Sequence, residues 1–175
     1  MVFRLFRHSA NRQVIDRLSG EIVAAARDPI LFAEYGIEDS LEGRFEAVTL
    51  HSVLVLRRLN GMDPPAPDIA QDLTDAIFRS FECALREMGV GDLAVPKQMK
   101  TIAGAFYGRA AAYDRALRGG SPGLKAALAR NVYDGRKSPD RLARYVEAAN
   151  EALAKASLDA FTLGPVPFPE PAAIC

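Results

Sequence analysis

Few residues in this chain have both the type and the spacing to do chemistry. Its only histidines are His8, in a basic start, and His51, inside the most apolar stretch of the sequence, Phe45 to Leu56. Catalytic bases and metal sites draw on histidine near neutral pH, and these two residues lack the company either role needs. His51 reads instead as a hydrogen-bonded core residue. No Glu-x-x-His pair exists for a di-iron bundle. Cys83 and Cys175 form no Cys-x-x-Cys, and Cys83 has no sequence-local His to lower its thiol pKa, so it reads as an inert, partly buried thiol. Gly89-Val90-Gly91-Asp92-Leu93-Ala94 spells the dinucleotide pattern GxGxxA. That pattern needs a strand before its glycines to aim phosphates at the following helix. A helical pattern precedes these, so the segment reads as a Gly-capped helix end.

Two charged segments remain: Asp39-Ser40-Leu41-Glu42-Gly43-Arg44-Phe45-Glu46, and Leu85 to Asp92 followed by Val95-Pro96-Lys97-Gln98-Met99-Lys100. Charges at helix ends serve as caps and surface ion pairs worth at most about 1 kcal/mol each. They also serve as the rim of a protein-binding groove, here Lys97, Lys100 and Arg109 beside Tyr107 and Tyr113. Residue types alone leave both readings open. A second class of function places Tyr107, Arg109 and Glu87 around a polar pocket for a small molecule or an enzyme substrate. A third makes Phe3, Leu5 and Phe6, with the nearby arginines, an anchor at a membrane surface.

The elements that must position these residues are helices, because apolar residues recur at three and four positions and no sustained alternation of period two occurs. The fold class is all-α: a single-domain bundle of about six or seven helices over residues 1–160, then a Pro-rich extended tail over 161–175. Helices are expected from Ser9 to Arg27, Ile30 to Tyr35, Ser40 to Asn60, Asp68 to Met88, Pro96 to Leu117, Ser121 to Tyr133 and Pro139 to Ala156. The third is apolar on nearly every face through its middle, as a central helix must be. The fourth carries the clearest stripe, Ile69, Leu73, Ile77, Phe81, Leu85 and Met88. Gly104, Gly108 and Ala112 form a side-chain-poor strip against which another helix of the bundle is expected to pack tightly. Ser-Pro opens each of the last two helices, a cap followed by a pre-set first residue. The tail, Gly164 to Pro171, lacks alternate backbone donors and is expected to be polyproline-like and mobile.

Lys plus Arg equals Asp plus Glu at 22 each, so no global field draws in nucleic acid or an anionic membrane. The longest apolar stretch falls short of the roughly 20 residues that span a bilayer. Arg4, Arg7, Arg12 and Arg17 resemble a transit peptide, but Val14, Leu18 and Ile22 continue the same stripe into the domain, so a retained helix is expected. The start does not have the apolar run of an export signal.

Gly43-Arg44-Phe45-Glu46, then Leu85-Arg86-Glu87-Met88-Gly89-Val90-Gly91-Asp92, then Val95-Pro96-Lys97, then Phe106-Tyr107-Gly108-Arg109 with Tyr113, resemble in order and spacing the ubiquinol-cytochrome c chaperone family. The resemblance runs from about Ile30 to Leu117. It implies an assembly factor for respiratory complex III that binds newly made cytochrome b, or another assembly factor of that complex, and is not an enzyme. The residue types lead us to expect no cofactor or metal, and the missing presequence pattern points to a bacterial-type member in the cytoplasm, with peripheral contact at the inner face of the inner membrane. On that reading a groove lined by the helices Ser40–Asn60, Asp68–Met88 and Pro96–Leu117 receives the client. Arg44, Glu87, Asp92, Lys97, Tyr107, Arg109 and Tyr113 are its expected rim.

Overall fold

The computed structural model describes residues 2–174, with side chains described from Asn11 to Ile174. Phe3, Leu5, Phe6, His8 and Cys175, and with them the membrane-anchor reading, therefore lie outside the described side chains. Six helices of eleven residues or more are joined by two of five residues and a closing 3-10 turn, and no strand occurs among the described residues.

Helix α1 (Val2–Ala26) buries Ile15, Leu18, Ile22 and Ala26, whose spacings of three and four put them on one face. Asp28 caps the short α2 (Pro29–Ala33), its Oδ1 accepting from the Ile30 amide at 2.9 Å. Helix α3 (Leu41–Asn60) opens on Ser40, whose hydroxyl accepts from the Gly43 amide at 3.2 Å. Every residue from Glu46 to Leu56 is buried. This is the expected central helix: α1, α4 (Ala66–Glu87), α5 (Val95–Gly119) and α7 (Asp140–Lys155) all pack on it. Each fully buried Leu or Val contributes about 1.5–3 kcal/mol relative to exposure, so Leu50, Leu54 and Val55 far outweigh the weak caps.

The α4 stripe is buried at Ile69, Leu73, Ile77 and Leu85, but Met88 is half exposed because the helix ends one residue earlier. Helix α6 (Ser121–Asn131) packs along α5 and α7. Ser121 makes no capping bond there, whereas Ser138 before α7 accepts from the Asp140 amide at 3.3 Å.

Two expectations are corrected. Gly104 and Gly108 are exposed, and a Cβ at either would meet nothing within 4 Å, so among the described residues no helix packs on the glycines of that strip. Phe106 and Tyr113 face inward and turn the glycines outward. The tail, expected to be mobile, is packed. Helix α8 (Leu158–Thr162) runs across the boundary expected at 160/161, and Arg17 then donates to the carbonyls of Phe161 and Gly164. The Val166 amide donates to Glu21 at 2.7 Å, and Tyr35 donates to the Pro171 carbonyl at 2.8 Å. Val166 and Pro171 are buried, and Phe168 packs edge-on against the His51 ring at 5.1 Å. Between prolines, few amides need water, so the tail can lie on apolar surface at little desolvation cost.

Gly43 differs from the exposed glycines. A Cβ there would sit 1.9 Å from the Glu38 carbonyl oxygen, so the turn into α3 closes only on a residue with no side chain. The two environments predict opposite signs. Gly108→Ala should stabilise the protein by about 0.5–1 kcal/mol through helix propensity, while Gly43→Ala should destabilise it by about 2 kcal/mol or more. Urea unfolding of the two variants checks both, and a stabilised Gly43→Ala would contradict the close approach.

Candidate functional site

Helices α4 and α5 meet through an aromatic cluster. The Phe78 ring lies 5.2 Å from Phe106, 5.8 Å from Tyr107 and 6.1 Å from Phe81, and Phe81 lies 5.4 Å from Phe45 of α3. The Arg109 guanidinium sits 5.6 Å from the Phe45 ring centre. Beneath it, Arg109 Nε reaches Glu46 Oε1 at 2.5 Å and Oε2 at 2.7 Å, and a second guanidinium nitrogen closes the fork. The Glu46 side chain is only 7% exposed. Burial raises its carboxyl pKa, opposed by the hydrogen bonds and charge of Arg109, while Glu46 raises that of Arg109. The pair is therefore a buried charge and its answering cation, not a pair of rim charges.

Beyond the cluster a groove of about 710 Å³ opens between the first turns of α4 and the second half of α5, with α3 as floor and α7 as far wall. Its apolar lining includes Val53, Leu56, Phe106, Tyr107, Ala110 and Leu153. Its polar lining is organised by Arg57, which donates to Asp114 at 3.1 Å and to Asn150 at 3.0 Å. Arg118 takes the other oxygen of Asp114, and Arg58 donates to the Ala156 carbonyl at 2.7 Å.

The groove thus lies on the three expected helices, but of the seven expected rim residues only Tyr107 lines it, 57% exposed. Tyr113 is wholly buried in the core. Arg109 is held by Glu46. Arg44 is exposed at the start of α3 and pairs with Asp39 at 2.6 Å, beside a separate hollow. Glu87, Asp92 and Lys97 are exposed at the α4–α5 corner, where Asp92 pairs with Arg86. Tyr107, Arg109 and Glu87 do not converge on one pocket, since the groove takes only the first of them. Cys83 is exposed, and the nearby Glu87 carboxylate raises its thiol pKa, which disfavours the reactive thiolate.

Sequence reasoning missed Arg57, Asp114, Arg118 and Asn150. Two signals were present: Arg57 directly follows the apolar stretch of α3, and Asp114 is the only acid in α5.

His51 is a core residue, as expected. Its Nδ1 lies 2.8 Å from the Ala47 carbonyl, which can only accept, so Nδ1 carries the proton. Nε2 then accepts from the Tyr145 hydroxyl at 2.8 Å. Burial holds its pKa down at about 4, against 6.5 for a free imidazole. The unfolded chain therefore binds the extra proton first. Stability is unaffected above about pH 6.5 and should fall by up to about 1.4 kcal/mol per pH unit as pH drops from there toward 4. Denaturant titrations should show that slope in the native protein and a flatter one in His51→Gln; matching slopes would rule out the neutral, buried imidazole.

Arg109→Ala should cost about 3–5 kcal/mol, because it strands the Glu46 carboxylate. The double variant Glu46→Leu/Arg109→Met should recover most of the loss. A mild effect of Arg109→Ala on urea unfolding would show that the pair is only a surface contact.

Among the described residues no helix is long and apolar enough to cross a membrane. Comparison with curated proteins gives no match. The crystal structure of the Cbp3 homolog from Brucella abortus is similar over 100% of both chains, with a TM-score of 0.87 and 35% sequence identity. Residues 33–168, which hold the groove, the aromatic cluster and the buried ion pair, match the model of a family described as ubiquinol-cytochrome C chaperone. With that match over most of its length and a full-length structural relative, the chain belongs to the ubiquinol-cytochrome c chaperone family.

Proposed function

We propose that the protein is an assembly chaperone for respiratory complex III, ubiquinol-cytochrome c reductase, and that it holds newly made cytochrome b through the groove on α3, α4 and α5. It acts as a binding protein and not as an enzyme, from the cytoplasmic face of the inner membrane. Family membership and the likeness to the Cbp3 homolog support the role. The observation that carries the choice of face is the open groove with a half-exposed tyrosine at its mouth, standing on a rigid aromatic cluster. Exposed aromatic side chains on a fixed base act as anchors at protein interfaces, because they bury large area with little loss of side-chain freedom. Lys97, Glu87 and Arg44 on exposed helix ends, and Asp92 in the α4–α5 turn, lie outside the groove and serve as outer contacts that set orientation and encounter rate.

Tyr107→Ala combined with Lys97→Glu should cut co-purification of cytochrome b about tenfold or more, on the scale of an interface hot spot. The melting temperature should move by no more than about 4 °C, since both residues are exposed. Complex III content of the cells, read from the b-type haem spectrum of their membranes, should fall in step. Full capture of cytochrome b by this double variant would remove the groove from the client site.

A further inference from the structure

We infer that the groove and the adjoining face of α5 take an acidic amphipathic helix, one with carboxylates at both ends of a small apolar middle. The inference rests on the reading of this groove as a docking site and specifies the chemistry of what docks there.

The charge distribution carries it. The protein is neutral overall, 22 against 22, yet the exposed charges of α5 are all basic: Lys97 and Lys100 at one end, Arg115 and Arg118 at the other. The single acid of the helix, Asp114, is half-buried, and both its oxygens are taken, one by Arg57 and one by Arg118. Across the groove Arg58 has used one nitrogen on the Ala156 carbonyl, and the charged lining counts three guanidinium groups, Arg57, Arg58 and Arg118, against the one carboxylate of Asp114. The site therefore offers more donors than acceptors, and an occupant must bring acceptors.

The contour selects a helix. Between the basic ends, α5 presents Tyr107 and Ala111 with open space around Gly104 and Gly108, so a partner's backbone can come close without displacing anything. A helix face has no row of unpaired amides and carbonyls to receive an extended chain, whereas a docking helix satisfies its own backbone. From Lys100 to Arg115 the rise is roughly 22 Å at 1.5 Å per residue. A partner's two acidic ends should thus stand about four turns apart. A membrane surface fits less well, because the middle of the face carries no large apolar side chain other than Tyr107 to insert among lipids.

The test uses the full-length protein and two fluorescein-labelled, alanine- and leucine-based helical peptides of 18 residues, one with glutamates and one with lysines in both terminal turns. Fluorescence anisotropy should show the acidic peptide binding at least tenfold tighter than the basic one. Lys100→Glu/Arg115→Glu, at two exposed positions, should abolish that preference, and raised salt should weaken it. A photo-crosslinking side chain at position 108 should link to the middle of the acidic peptide. Equal binding of the two peptides, binding of neither, or binding that Lys100→Glu/Arg115→Glu leaves intact would overturn the inference. So would sedimentation of the protein with vesicles of anionic but not neutral lipid that the same double variant abolishes, since the face would then be a membrane contact. Cytochrome b capture by the double variant separates the two readings. Capture retained without a peptide preference leaves the chaperone role standing and removes the acidic helix, whereas full capture by the single variant Tyr107→Ala, with the peptide preference intact, removes the groove as client site and leaves the acidic helix standing.

Discussion

Polar groups on a helix that is surrounded by other helices need partners, and four of those on α3 find them on neighbouring elements. Glu46 is met by Arg109 of α5, His51 by Tyr145 of α7, Arg57 by Asp114 of α5 and Asn150 of α7, and Arg58 by the carbonyl of Ala156 just past α7. Apolar packing alone would let α5 and α7 slide along α3 at modest cost, since one leucine replaces another in a greasy seam. Leaving a buried carboxylate or imidazole without its partner costs several kcal/mol, so the slide is blocked at each of these points. The hydrophobic effect supplies most of the folding free energy here; the polar ties choose which packing it stabilises.

The same ties shape the groove. Surface ion pairs such as Lys155–Glu151 or Arg136–Asp134 are exposed and contribute little. Arg57 is different, because two partners from two helices hold its guanidinium across the floor of an open groove. A side chain fixed before binding loses little freedom when a partner arrives, and a docking face built on such residues needs no rearrangement to be used. Tyr107 is fixed in another way, by the rings of Phe78 and Phe106 behind it.

The helices were legible because their signals are local: the α1 and α4 stripes, the Ser40 and Asp28 caps, and the all-round apolarity of α3 each follow from residues within a few turns. The candidate site was only partly legible. The three helices of the groove could be named, as could Tyr107, but Arg109 and Tyr113 were placed on the rim when one answers a buried acid and the other fills the core. Deciding which face of α5 points inward requires knowing that α3 presents Glu46 and that α6 covers the Tyr113 side, and both are contacts across 18 or more residues. Gly104 and Gly108 depart from expectation for the same reason: small residues at a spacing of four suit close packing, but the structure puts that packing potential outside, where none of the described residues uses it. The tail departs from expectation because Val166 and Phe168, set between its prolines, supply the apolar surface that packs it onto the bundle.

Interior and groove differ in one respect that bears on function. Inside, donors and acceptors are nearly matched, with Thr49 and Tyr113 hydroxyls among the few left over. At the groove the balance is incomplete: guanidinium groups outnumber carboxylates. Solvent can serve exposed donors, so the free protein tolerates the imbalance at little cost. A partner that excludes that solvent must replace it with acceptors or leave charges desolvated, which penalises neutral and basic segments far more than it favours acidic ones. Discrimination at this face therefore comes mainly from what it rejects. On the proposed reading of the groove as a client site, that suits the task of holding one unassembled chain among many apolar segments, since apolar contact alone would not tell them apart.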